Sequence, residues 1–193
     1  MIPTLVIKSN LMNYNNQATL IAQMDKAQIK SGLRQSFGEV VYAIHSMSQE
    51  TYSKPRAEGK WSPKEVLGHL WLSTTPVVKS LSIPKEKLMA KFGTLERAEY
   101  AYDDLKSKYI KALTTGIKAP PPFVFSEEDS MKKEELLSKF NQSLEDVLTM
   151  MENWNEKELS MIVIPHPAIG KVSMREILYF TEFHTIHHLA QLN

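Results

Sequence analysis

The chain has 193 residues, of which 42% are hydrophobic, and its 23 Lys and Arg residues nearly balance 22 Asp and Glu residues. This length and balance predict one globular domain over residues 1–193 with an ordinary apolar core. A net charge of +1 gives no electrostatic basis for binding nucleic acid or an anionic membrane surface. The absence of cysteine excludes disulfides, thiolate metal ligands and a cysteine nucleophile.

The N-terminal residues Met1 to Ile7 are apolar but include Pro3, and they are too few for the core of a signal peptide. No run approaches the roughly 18 apolar residues that a membrane-spanning helix needs. We therefore expect a cytoplasmic protein without a membrane anchor.

The first two helices are predicted at residues 16–49 and 62–82. No stretch of the sequence shows a pattern typical of a β-strand. In the first helix, apolar residues recur at spacings of three and four. They are Leu33, Phe37, Val40, Val41 and Ile44. The second opens at Ser62-Pro63-Lys64-Glu65, where Ser62 at the N-cap and Glu65 at N3 form a capping box.

Two further core helices are predicted at residues 130–154 and 173–192, and the second of these is apolar on nearly every side. It opens at a second capping box, Ser173 with Glu176. A helix of this kind is central in a bundle or buried in a dimer interface, so we also expect a homodimer.

Residues 84–126 form an extra segment between the second and third core helices. An amphipathic pattern predicts a helix over 94–115, and Pro120-Pro121-Pro122 then predicts a short extended connector. The predicted fold is all-α, a four-helix bundle with this segment inserted.

Histidines provide the main chemical signal. His184 and His188 are four residues apart, so on a helix their rings lie on one face, at the spacing by which two imidazoles bind one metal ion. His187 points away from His188. His69 lies on the apolar stripe of the second helix and is the natural third ligand. Three imidazoles leave a coordination position open for water or substrate, and they suit zinc, nickel, iron or copper. The alternative is that these are hydrogen-bonded core histidines without a metal.

Two strings resemble the DinB/YfiT-like superfamily of metal-binding four-helix bundles. They are WSPKEVLGHLWLS (61–73) and HPAIGKVSMREILYFTEFHTIHHLAQL (166–192), and the HPxxG and HxxHHxxQ patterns of the second are the more specific. The resemblance implies a divalent metal, zinc or nickel first and iron next, held by His69, His184 and His188. It also implies that Gln191, on the pocket face, hydrogen-bonds a ligand or a metal-bound water, or else caps the helix end.

The chain departs from the family pattern at one place near this site. Many relatives have an acidic or amide residue one turn after the second-helix histidine, where this sequence has Ser73. The segment 84–126 has no clear counterpart in the family, so it is a candidate for setting substrate choice. The sequence leaves the roles of His45, His166 and His187 open.

The resemblance implies a metal-dependent enzyme that acts on a small-molecule substrate. The superfamily includes thiol S-transferases that use low-molecular-weight thiols, and proteins described as metal-dependent hydrolases. The metal would lower the pKa of a water or of a low-molecular-weight thiol cosubstrate, creating a nucleophile. The alternative function is a non-catalytic helical bundle that binds a metal or a small ligand.

Overall fold

Four long helices and a set of shorter elements make up the protein in a computed structural model that describes residues 23–126 and 130–192. In chain order the elements are α1 (Lys26–His45), α2 (Gln49–Ser53), α3 (Pro63–Ser82), α4 (Lys85–Phe92), α5 (Tyr102–Thr114), a 3-10 turn (Pro121–Phe123), α6 (Lys133–Met151), α7 (Glu156–Met161), β1 (Val163–His166), β2 (Gly170–Ser173) and α8 (Met174–Leu189). The long helices α1, α3, α6 and α8 form a four-helix bundle, which confirms the predicted fold class.

Helix α1 is shorter than predicted at both ends. It begins after Asp25, whose side chain accepts a hydrogen bond from the Gln28 backbone in a capping box. It ends at His45, and Ser48 then caps the separate helix α2. The predicted start at residue 16 lies outside the described residues.

The capping boxes predicted for the second and last core helices are confirmed. Ser62 and Glu65 exchange hydrogen bonds at the start of α3, and Ser173 and Glu176 do so at the start of α8. Because these bonds satisfy amide groups that a helix start leaves without partners, they fix where each helix begins. The third core helix, α6, is shorter than the predicted 130–154.

The inserted segment contains two helices where the pattern predicted one. The first, α4, was not predicted, and it ends at Gly93, which has a positive φ of 85°. The second, α5, begins at Tyr102 and not near 94, because Thr94 forms a β-bridge with Ile162 and the chain stays extended after it. The predicted extended connector at the three prolines is partly a 3-10 turn.

The expectation that the chain has no strand is wrong. Strands β1 and β2 form an antiparallel hairpin in which Val163 faces Ser173 and His166 faces Gly170. Gly170 has a φ of 80°, a conformation that favours glycine. Each strand has four residues and β1 includes Pro165, so the alternating pattern of a strand is too short to recognise in the sequence.

Helix α8 lies in the middle of the molecule, in contact with α1, α3, α5 and α7. These contacts within one chain explain why the helix is apolar on nearly every side. The homodimer remains a prediction. Phe37 of α1 and Phe140 of α6 stack with ring centroids 4.4 Å apart and tie these two helices together. Within the described residues, no helix is both long and apolar enough to cross a membrane.

Candidate metal centre

Three histidine rings meet between α3 and α8. His69 comes from α3, and His184 and His188 lie one turn apart on α8. The Nε2 atom of His184 is 3.1 Å from Nε2 of His69 and 3.1 Å from Nε2 of His188. All three side chains are buried, with exposed fractions of 5%, 4% and 7% for His69, His184 and His188. The structure thus brings together the three histidines that the sequence singled out as candidate ligands.

Hydrogen bonds at the far side of two rings set which nitrogen faces the centre of this cluster. Nδ1 of His69 donates to the backbone carbonyl oxygen of Phe123 at 2.7 Å. Nδ1 of His188 donates to the side-chain oxygen of Gln191 at 3.1 Å. A neutral imidazole carries one proton, so in both rings Nε2 presents a lone pair to the cluster.

The cluster fits a divalent metal. The Nε2 atom of His184 can donate to only one of its two neighbours, so at least one lone pair is left facing another nitrogen. Ligand nitrogens at about 2.0–2.1 Å from a tetrahedral metal lie about 3.3 Å apart, close to the separations seen here. Backbone and side-chain partners on the opposite ring nitrogens are the usual support for metal-binding histidines.

Burial keeps these rings neutral. It lowers the pKa of His188 to about 3 and the pKa of His184 well below its ordinary value, and the neighbouring histidines add to both shifts. Burial also lowers the pKa of His69, against the opposing effect of its bond to Phe123. Since only a neutral imidazole can bind a metal, the rings are in the ligand form at neutral pH.

A cavity of about 410 Å³ opens in front of the three histidines. Its wall is mainly apolar and comes in part from the inserted segment, through residues that include Phe92, Tyr109, Leu113, Ile117 and Phe123. Among the described residues no Asp or Glu lines it, and Lys118 is the charged side chain at its wall. A cavity of this size and character suits a small, largely apolar molecule.

Trp61 and Ser73 border the cluster. The Trp61 ring lies 4.8 Å from the His69 ring and 6.0 Å from the His188 ring, between centroids, and both Trp61 and Ser73 line the cavity. Trp61 therefore covers the imidazoles against solvent. Ser73, and not an acid or amide, lines the cavity one turn after His69.

The remaining histidines lie in three different places. His45 is exposed at the end of α1 and is not part of the cavity wall. His187 is half-buried, lines the cavity and does not belong to the three-ring cluster. His166, at the end of β1, lines the cavity with its ring centroid 4.3 Å from Phe180 and 6.3 Å from Tyr109.

Tyr109 and His166 are cavity residues that the sequence did not assign to the site. Burial raises the pKa of Tyr109 and lowers the pKa of His166 to about 4, so both are neutral at physiological pH. His166 belongs to the HPxxG string, but the sequence left its role open. Tyr109 shows no signal beyond its place on an amphipathic helix.

The comparisons with known proteins agree with this architecture. A structure of similar fold is that of YfiT from Bacillus subtilis, described as a probable metal-dependent hydrolase with an unusual four-helix bundle topology. It is 15% identical, with a TM-score of 0.59, and the match covers 86% of this chain and 83% of that one. Among curated proteins, none matches the sequence. The family model described as the DinB superfamily matches residues 33–192. The chain therefore belongs to the DinB superfamily.

Proposed function

We propose that the protein is a metal-dependent enzyme that binds one divalent ion through His69, His184 and His188. The reaction is attack by water or by a low-molecular-weight thiol on a small molecule held in the cavity. The observation that carries this proposal is the convergence of three buried Nε2 atoms. The description of YfiT as a probable metal-dependent hydrolase supports it. Zinc and nickel are the first candidates for the ion, and iron is the next.

A divalent metal at this position would supply Lewis-acid activation and lower the pKa of the attacking water or thiol. The residues of the chain hold and enclose it. Phe123 and Gln191 fix the orientation of His69 and His188, so that both rings keep Nε2 toward the centre. Trp61 and the apolar wall exclude bulk water, which strengthens electrostatic interactions inside the cavity.

A thiol, if one takes part, has to come from a small molecule, because the chain has no cysteine. The cavity volume of about 410 Å³ gives room for a small substrate beside the three rings. Hydrolysis and thiol transfer therefore remain two versions of one proposal, distinguished by the nucleophile.

The second candidate is a non-catalytic bundle that binds a metal or a small ligand. It is favoured by the lack of Asp and Glu among the described residues of the cavity wall, since carboxylates are common general bases. His187 could take a proton in their place, although burial lowers its pKa, whereas the neutral hydroxyl of Tyr109 could only donate one.

Metal content tests the site. Protein purified without chelator or affinity tag is analysed by mass spectrometry, beside His184→Ala and His188→Ala and the exposed-site control His45→Ala. We expect about one zinc, nickel or iron per chain in the wild type and the control, and its loss in the two α8 variants. A wild type without metal that takes up none on dialysis contradicts the proposal.

Turnover separates the enzyme from the binder. The metal-loaded and chelator-treated proteins are assayed for hydrolysis of 4-nitrophenyl acetate and for conjugation of 1-chloro-2,4-dinitrobenzene with a low-molecular-weight thiol. Activity that depends on metal and is lost in His184→Ala supports the enzyme, and full metal occupancy without either activity favours the binder. The homodimer and the cytoplasmic location remain predictions, and light scattering tests the first: a monomer at micromolar concentration contradicts it.

A further inference from the structure

His166 is a half-buried polar group of the cavity wall that the metal site does not use. It lies at the end of β1, outside the three-ring cluster, with its ring centroid 4.3 Å from that of Phe180 and 6.3 Å from that of Tyr109. Two aromatic neighbours on a half-buried ring restrict its rotation. The hairpin therefore presents this imidazole to the cavity in a fixed position.

The hydrogen bond of this ring determines where its proton is. The backbone N–H of Ala168 donates to Nδ1 of His166 at 3.1 Å, and a backbone amide can only donate. Nδ1 is therefore the acceptor, and in a neutral ring the proton is on Nε2. Among the hydrogen bonds of the described residues none involves Nε2 of His166, and the residue lines the cavity, so this N–H can donate to a molecule there.

Trp61 and His187 also line the wall, and Trp61 carries an indole N–H donor, so the His166 N–H is distinguished by a tautomer that the Ala168 bond fixes. The hydroxyls of Ser73 and Tyr109 can rotate and either donate or accept. Lys118 is exposed and lies on a flexible stem. In a wall that is otherwise largely apolar, a donor in one fixed direction selects for an acceptor at one position on the ligand.

We propose that His166 determines substrate choice by donating from Nε2–H to a carbonyl oxygen of a predominantly apolar substrate. The inference rests on the proposed function only in calling the bound molecule a substrate. The binding preference itself needs no metal. It assigns to His166 direct contact with the bound molecule, and it places the acceptor atom of that molecule beside the β1–β2 turn.

A pair of nearly isosteric probes tests the donor. Acetophenone has a carbonyl oxygen where α-methylstyrene has a methylene group, so the two differ mainly in the acceptor. Each is titrated by NMR into the metal-free and the zinc-loaded protein, for the wild type and for His166→Asn. Asparagine can still accept from the Ala168 N–H, as in an Asx-turn, and it places no donor at the Nε2 position.

We expect the preference for acetophenone over α-methylstyrene to fall by roughly 3- to 10-fold in His166→Asn, the value of one hydrogen bond. His166→Gln, whose amide nitrogen lies near the Nε2 position, should recover part of it. His45→Asn, at an exposed site away from the cavity, should leave it unchanged. An equal preference in the wild type and in His166→Asn overturns the proposal.

The two metal states separate this inference from the proposed function. A preference that depends on His166 in metal-free protein supports the inference even where metal analysis finds no bound ion. Normal zinc content in His166→Asn together with an unchanged preference leaves the metal site intact and overturns the role of His166.

Discussion

Gln191 acts on the candidate metal centre from outside it. Its side-chain oxygen accepts from Nδ1 of His188, so its effect on a metal ion passes through the orientation of that ring. The sequence pattern placed Gln191 on the pocket face as a group that contacts a ligand or caps the helix. The hydrogen bond to His188 is an additional role that requires the folded geometry of the turn that follows α8.

Replacement of Gln191 should weaken metal binding without abolishing it. For Gln191→Ala we expect zinc affinity to fall by roughly 10-fold, because the His188 ring loses the partner that fixes its tautomer. Gln191→Glu keeps an acceptor at the same place and should bind at least as tightly as the wild type. Competition with a fluorescent chelator measures both, and equal affinity in Gln191→Ala and the wild type contradicts the orienting role.

His166 should make the folded protein sensitive to acid. Burial lowers its pKa to about 4 from an ordinary value near 6.5, so between these values the unfolded chain binds more protons. The stability that depends on the neutral ring is complete above about pH 6.5 and is lost as the pH falls toward 4.

Urea unfolding with chelator present measures this effect. Between about pH 7.5 and pH 5, His166→Asn should lose about 1–2 kcal/mol less free energy of unfolding than the wild type loses. The comparison is between changes with pH, so a constant cost of the substitution cancels. The same loss in both proteins would contradict a buried, neutral His166.

The candidate ligands could be predicted from the sequence because helical spacing determines which side chains share a helix face. His184 and His188 share a face of any helix, and His69 lies on an apolar stripe that has to point inward. Phe123 and Tyr109, which lie beside the histidine rings, could not be predicted, because they come from the inserted segment. Their place beside the rings depends on contacts between distant parts of the chain.

At the scale of helices, substitution of two glycines by alanine should have opposite effects on the stability of the protein. Gly68 precedes His69 in α3 and lies against Phe125, so a Cβ there would overlap the Cβ and the ring of Phe125. Phe125 is 3% exposed and has little room to move. Gly38 in α1 is exposed, and a Cβ there would meet no atom within 4 Å.

We therefore expect Gly68→Ala to destabilise the protein by about 1–3 kcal/mol through overpacking. Gly38→Ala should stabilise it by about 0.5–1 kcal/mol, because alanine is the better helix former. Denaturant unfolding of both variants tests the pair. A stabilising Gly68→Ala would show that Phe125 does not pack closely on α3.

Local chemistry explains which helix boundaries the sequence could predict. The starts of α3 and α8 depend on side chains three residues apart, and both were identified correctly. Asp25 and Gln28 form a capping box of the same kind at the start of α1. It was not recognised because the apolar periodicity suggested a longer helix. The inserted segment depends on distant contacts: Arg97 donates to both carboxylate oxygens of Glu176, at 2.6 and 2.8 Å, and holds the segment against α8.

For the whole molecule, metal binding and folding should be linked. The three candidate ligands come from α3 and α8, and the unfolded chain does not hold them together. Free zinc at about 100 times its dissociation constant should add about 2.7 kcal/mol to the free energy of unfolding. For a chain of this size that corresponds to a rise in Tm of roughly 5–10 °C.

Differential scanning calorimetry with and without zinc measures the shift, and excess chelator should reverse it. His184→Ala is the matched variant and should show no rise. A rise of the same size in that variant would indicate that zinc binds elsewhere on the protein.

The bundle provides the candidate ligands and the inserted segment provides much of the cavity wall, and this separation affects which positions can be substituted in evolution. The candidate ligands belong to two core helices, whereas much of the cavity wall belongs to α5 and the residues that follow it. Ile117 is 44% exposed and lies outside the core cluster, and Leu113 is only partly buried against it. Selection, natural or in the laboratory, can therefore reshape the cavity at these positions and retain the same three candidate ligands.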